Sequence, residues 1–159
     1  MAENMAETLP QYVAGLGNPG KKYEDTRHNV GVRVLNAVET ECDTSGSFKK
    51  HKGRLTKCWL DEREFWTFRP RTYMNESGRA IQALCAGRRI RPQQVLIVTD
   101  CADLPFGKLR LRKKGGSGGH RGVQSVIDCL GTDEFPGVTP QVQKCNIFVK
   151  TSIVGREGN

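Results

Sequence analysis

Three histidines, scattered along a chain of 159 residues, frame the chemistry this sequence can offer. His28 stands in Asp25-Thr26-Arg27-His28-Asn29-Val30-Gly31, just ahead of Val30, Val34, Leu35 and Val38. Their spacing predicts a helix, with Asn29 or Thr26 available to cap its first turn. An imidazole at the mouth of a helix suits general-base work, because its unperturbed pKa of about 6.5 leaves it neutral near pH 7. Asp100 directly follows Val95, Leu96, Ile97, Val98 and Thr99, a run of the length and composition of a strand buried on both faces. In open α/β sheets ligands bind beyond the carboxyl ends of strands, so Asp100 is a functional candidate, with capping of the next turn as its structural alternative. His120 lies in the glycine-rich segment from Gly115 to Gly122, and Val123, Val126, Ile127 and Leu130 start a helical stripe straight after it. That loop ends at a helix N-terminus, a ready anion site.

The elements that would position these groups alternate between strand and helix. Tyr12 to Leu16 is a short apolar run breaking into Gly17-Asn18-Pro19-Gly20, which reads as a buried strand entering a tight loop. The first helix follows, and residues 39–47 read as a polar connection. Residues 54–60 and 64–68 alternate as a hairpin across Asp61-Glu62-Arg63. A second helix is expected over about 77–86, with Ala80, Ile81, Leu84 and Cys85 on one face and Asn75 placed to cap it or reach past it. Lys108 to Arg112 alternates leucine with cations, predicting a half-exposed strand with a cationic outer face. The whole is an α/β single domain: a twisted mixed β-sheet flanked by helices on both faces. Residues 1–10 are expected as a flexible N-terminus, 11–136 as the domain, and 137–159 as a divergent segment with one strand-like run at Asn146 to Val149.

Composition narrows the function classes. At 36% hydrophobic and 26% charged, the chain has the make-up of an ordinary soluble globular protein. No apolar run is long enough to span a bilayer, so no membrane partner is expected. Met1 to Pro10 holds Glu3 and Glu7 and no basic residue, which argues against a secretory signal or an Arg-rich transit peptide. A cytoplasmic location is the default, with a mitochondrial one as the alternative. The six cysteines include no Cys-x-x-Cys pair, and the histidines show no tandem spacing, so reduced thiols and no metal are expected. Net charge is +8, which points to a polyanionic partner. Lys108, Arg110, Arg112, Lys113, Lys114 and Arg121 fall in a stretch without a single carboxylate. Further basic clusters stand at Lys49, Lys50, Lys52, Arg54 and Lys57, and at Arg88, Arg89 and Arg91. Solvated faces would explain any one cluster; together they favour phosphate binding.

Gly15-Leu16-Gly17-Asn18-Pro19-Gly20-x-x-Tyr23 followed by Thr26-Arg27-His28-Asn29-Val30-Gly31 resembles the opening of the bacterial-type peptidyl-tRNA hydrolases. The resemblance continues at Arg71 to Gly78, at Asp100 to Lys108 and at Gly115 to Gly122, covering roughly residues 11–136. It implies hydrolysis of the ester between a peptide and the 3′ ribose of tRNA, with no cofactor and a monomeric protein. Such hydrolysis needs an activated water, a base and a donor for the developing oxyanion. On this resemblance His28 is the general base, and Asp100 would fix its tautomer and stabilise the imidazolium. Asn18 and Asn75 match positions that hydrogen-bond the peptide and the terminal nucleotide region, and Tyr23 and Tyr73 match positions that contact substrate. His120, Arg121, Lys108, Arg112 and Lys113 are the expected tRNA contacts. Met74 is assigned to packing. Arg121 departs from the family, which usually carries Asn there, exchanging an amide for a fixed cation. Beyond Pro136 the resemblance lapses, as expected of a divergent or shortened C-terminus.

Two other readings compete. A homologue that keeps an RNA-binding surface without efficient hydrolysis fits the Arg121 exchange, whereas the joint presence of His28, Asp100, Asn18 and Asn75 favours the enzyme. Gly15, Gly17 and Gly20 also spell G-x-G-x-x-G, the dinucleotide-binding pattern. That pattern needs a helix opening inside it, yet Pro19 removes a donor and Lys21-Lys22-Tyr23 shows no apolar periodicity.

Overall fold

The computed structural model describes residues 10–23, 29–100, 109–112 and 114–140, without the side chains of residues 23, 109, 110, 139 and 140. Among the described residues, β1 (Tyr12–Gly15) leads to helix α1 (Val30–Glu41), then to β2 (Asp43–Lys50), β3 (Gly53–Leu60) and β4 (Arg63–Pro70). Helix α2 (Ser77–Arg88), β5 (Val95–Val98), β6 (Leu109–Arg112), helix α3 (Arg121–Leu130) and β7 (Gly137–Pro140) follow. The strands form one sheet in the order β2-β3-β4-β1-β5-β7-β6. β1 pairs in parallel with both β4 and β5, β5 in parallel with β7, and the outer pairs are antiparallel. The sheet is therefore mixed, as its alternating elements predict.

Strand periodicity divides the central residues between two cores. Tyr12, Ala14, Val95 and Ile97 pack with Ile81 and Leu84 of α2 and Val126 of α3, whereas Val13, Leu96 and Val98 pack with Val34, Leu35 and Val38 of α1. Helices consequently cover both faces. Each fully buried residue of this size contributes roughly 1.5–3 kcal/mol, which is how two four-residue strands hold the centre of the domain. Cys58 lies in the α1-side core and Cys85 in the other, and burial pushes their thiols up to about 12 and about 11.

The first helix can lie directly on β1 because of two glycines. A Cβ on Gly31 would stand 2.6 Å from backbone atoms of Leu16 and Val98, and one on Gly15 would collide with the Gly31 carbonyl. Gly15 therefore serves helix-on-strand packing, and only the short 3-10 turn Lys21–Tyr23 follows Gly20. Residues 15–20 do not open a phosphate-cradling α-helix.

Several local expectations are corrected. The connection expected at 39–47 is instead the end of α1 and the start of β2, whose residues are all exposed. β2 is an edge strand bonded only to β3, so no buried face imposes an apolar period on it. Asn29 occupies the N-cap position of α1 but its side chain makes no capping bond. Asn75 lies in the 3-10 turn Met74–Glu76, and Glu76 takes the N-cap position of α2. In β6, Leu111 is 57% exposed while Arg112 is half-buried, the reverse of the expected cationic outer face. Gly137–Pro140, where the sequence shows no strand-like run, pairs with β5 and β6 as β7.

Candidate active site

Parallel pairing of β1 with β5 sends two loops out of the sheet side by side, one carrying Asn18 and the other beginning at Asp100. β1 is also where connections turn to opposite faces, α1 returning on one side and α2 on the other. A crevice at such a switch point is the usual ligand position in open α/β sheets.

Asn18 is held on three sides. Its backbone N–H donates to Asn29 Oδ1 at 2.8 Å, and its carbonyl accepts from Asn29 Nδ2 at 3.0 Å. Its own Oδ1 accepts the Met74 backbone N–H at 2.6 Å. That last bond fixes the amide flip, leaving Nδ2 as the outward donor with no partner among the described residues. Asn29, only 4% exposed, is thus the anchor of the loop rather than a helix cap. Its place directly after His28 was the available signal for this role.

Met74 is buried, and its sulfur meets the start of α3. A Cβ on Gly122 would lie 2.5 Å from Met74 Sδ and 3.0 Å from His120 Cε1, so Gly122 lets α3 approach this closely. Met74 acts in packing, as assigned. Tyr73, at 55% exposure, and the exposed Asn75 flank it on the solvent side.

His120 is the N-cap of α3. Its Nδ1 accepts the backbone N–H groups of Gly122 and Val123 at 3.1 and 3.2 Å, and its Nε2 lies 2.8 Å from Asp100 Oδ1. An atom accepting two N–H bonds carries no proton, so the ring proton sits on Nε2 and is donated to the carboxylate. Asp100 is 7% exposed, and this donor offsets part of the cost of holding its charge there. The free anion site expected at this helix start is therefore occupied by the ring of His120 itself.

His28, Lys108 and Lys113 lie outside the described residues, as does the side chain of Tyr23. Arg121 is exposed at the first position of α3 and takes no part in the Asp100–His120 bond. Arg112 and Lys114, with Thr99, Gly115 and Gly116, line a shallow hollow on the flank of the crevice, Thr99 being the residue before Asp100. Lys114 belongs to the basic stretch noted in the sequence, and its place beside Thr99 is added by the fold.

Fold and site together define an α/β protein with an amide, a carboxylate and an N-capping histidine gathered at the switch point of its sheet. Residues 12–141 match the family model for peptidyl-tRNA hydrolase, and the chain belongs to that family. It is 45% identical over 124 residues to the peptidyl-tRNA hydrolase of Aquifex aeolicus, an alignment covering 78% of this chain and 65% of that relative. Its identity to the enzyme of Persephonella marina is 44% over 131 residues, covering 79% and 66%. The chain thus spans about two thirds of the length of these relatives. The crystal structure of peptidyl-tRNA hydrolase from Acinetobacter baumannii is similar at a TM-score of 0.77 and 25% identity, covering 99% of this chain and 80% of that one. No helix among the described residues is long and apolar enough to cross a membrane.

Proposed function

We propose that the chain hydrolyses the ester joining a peptide, or an N-blocked amino acid, to the 3′ ribose of tRNA, with His28 as the base that activates water. Family membership supports the reaction class. The observation that carries the choice of base is the bonding of His120. Both of its ring nitrogens are committed, Nδ1 to two backbone donors and Nε2–H to Asp100, so it has no lone pair with which to accept a proton from water. His51 is built into the β2–β3 turn with its ring against Gly87 of α2. Of the three histidines in the chain, His28 is left for the base.

In this mechanism His28 removes a proton from water as it attacks the ester carbonyl, and Asp100 stabilises the imidazolium that forms. His120 positions that carboxylate. The unpartnered Nδ2 of Asn18 and the exposed amide of Asn75 supply donors for the peptide and for the oxygen that becomes negative, a contribution worth roughly 3–4 kcal/mol when such a donor is well aimed. Tyr23 and Tyr73 offer rings for the terminal base or the peptide. Arg112 and Lys114, with Lys108, Lys113 and Arg121, contact tRNA phosphates. The chemistry calls on no cofactor.

Release of free tRNA from an N-blocked aminoacyl-tRNA tests the reading, with unblocked aminoacyl-tRNA as the control substrate. Turnover of the blocked ester that is lost in His28→Ala is the expected result. Binding of the tRNA with the ester left intact refutes hydrolysis and assigns the chain to the RNA-binding class.

A further inference from the structure

The β2–β3 hairpin carries cations that the crevice does not use. Register places Lys49 directly opposite Arg54, and Arg54 directly opposite Arg69. Directly paired residues project from the same face, so three cations stand in one row across three strands, at a strand spacing of about 4.8 Å. Like charges placed opposite one another destabilise a sheet. Only Arg69 is compensated by a carboxylate, that of Glu39, while Arg54 donates to the neutral Ser47 hydroxyl and Lys49 has no partner among the described residues. The tip adds Lys50 and Lys52, both exposed, and Ser47 to Leu60 contains no Asp or Glu.

The hairpin is joined to the loop that serves the crevice. The backbone N–H of Arg71 donates to the Lys52 carbonyl at 2.8 Å, and the chain runs on from Arg71 to Tyr73, Met74 and Asn75. Arg71 is itself exposed, so the cations continue from the hairpin tip to the edge of the site.

We infer that the β2–β3 hairpin, through Lys49, Lys50, Lys52 and Arg54, is a second phosphate-contact surface that holds the sugar-phosphate backbone of the tRNA whose ester lies in the crevice. Lys49 and Arg54 on one face and Lys50 and Lys52 at the tip, in a hairpin with no carboxylate between Ser47 and Leu60, lead away from a site for the 3′ end and are complementary to a chain of phosphates. The proposal rests on the reading of the chain as a tRNA-ester hydrolase, and it adds the route of the backbone.

The test compares the wild-type chain with the triple variant Lys49→Gln, Lys50→Gln, Lys52→Gln and with a charge-matched control, Arg33→Gln, Arg63→Gln, Arg79→Gln, at cations outside the three basic clusters. Affinity for fluorescent deacylated tRNA is measured against potassium chloride concentration. Each lost phosphate contact lowers the slope of log K against log salt by roughly 0.7–0.9, so the hairpin variant loses about 2.1–2.7 in slope and the control less than one. With the blocked ester, KM of the hairpin variant rises roughly tenfold while kcat stays within twofold of wild type. Equal slopes for the two variants refute the proposal, as does a slope unchanged from wild type. Sedimentation of the wild-type chain with phosphatidylserine vesicles, together with an unmoved tRNA slope in the hairpin variant, overturns it in favour of a membrane surface. Wild-type turnover measured alongside judges the hydrolase reading separately, since that reading stands or falls on ester cleavage and the hairpin on salt dependence.

Discussion

Replacing His120 with Ala removes two separable contributions. The first is the N-cap of α3, where the Gly122 and Val123 N–H groups lose their acceptor, a loss of about 1 kcal/mol. The second is the donor to Asp100, a hydrogen bond to a charged group worth about 1.5–3 kcal/mol, at a carboxylate only 7% exposed that water replaces poorly. His120→Ala is expected to destabilise by about 2.5–4 kcal/mol, or roughly 8–12 °C in Tm for a chain of this size. His120→Asn separates the two, since Asn is a favoured N-cap but too short to reach Asp100, and it should recover about 1 kcal/mol. Urea unfolding of wild type, both variants, Asp100→Ala and the double variant His120→Ala/Asp100→Ala gives the cap by difference and the ion-dipole contact by coupling. In the esterase assay both variants lower kcat/KM, yet an acidic limb persists in the pH–rate profile, because the base, His28, is still present. Equal stabilities for the Ala and Asn variants would refute the capping argument. A coupling below about 0.5 kcal/mol would remove the Asp100 contact, and loss of the acidic limb altogether would remove the assignment of the base.

Alkaline pH should expose the buried thiols. Cys58 and Cys85 keep their protons in the folded chain to about 12 and about 11, while the unfolded chain loses them near the ordinary thiol value of about 8.5. The unfolded state then binds fewer protons, so stability falls as pH rises above about 9, by about 1.4 kcal/mol per pH unit for each thiol; a Cys58→Ala/Cys85→Ala chain that shows the same fall in urea titrations would disprove it. Gly31→Ala places a Cβ against Leu16 and Val98 backbone that cannot yield, and a loss of 3 kcal/mol or more in urea unfolding is expected, whereas under 1 kcal/mol would mean that α1 is not seated as described. Arg121→Gln removes an exposed cation from the positive end of α3 and should stabilise by about 0.3–1 kcal/mol at low salt, an effect that 1 M salt should erase if it is electrostatic.

The central architecture was legible because burial on two faces writes itself into sequence as apolar runs at Tyr12 to Leu16 and Val95 to Val98, and as helical stripes at Val30 to Val38 and Ala80 to Cys85. β2 was not, because an exposed edge strand obeys no such constraint and Asp43–Lys50 has β3 as its one neighbour in the sheet. Leu111 misled for a related reason: alternation fixes which residues share a face but not which face is covered. Among the site residues, Asp100 and His120 were visible as a carboxylate after a strand and a histidine before a helix. Their bond was not, since they are twenty residues apart and meet only through the placement of α3. Asn29 was legible only as one of two candidate caps, with Thr26, because an Asn before a helix satisfies the same local rule whether its amide turns inward to the helix or outward to a neighbouring loop.

That placement of α3 is itself set by backbone contacts. Gly78 lets α2 touch α3 at Ser125, whose hydroxyl accepts the Gly78 N–H at 2.9 Å, and one turn earlier Gly122 does the same for Met74. Met74 in turn donates its N–H to Asn18, whose backbone is clamped by Asn29. From α1 to the ring of His120 the positions are thus passed along by main-chain atoms, a buried amide, the Ser125 hydroxyl, the Met74 sulfur and glycines without side chains. An amide and a carboxylate that must be aimed to within a fraction of an ångström are better served by such contacts than by surface ion pairs.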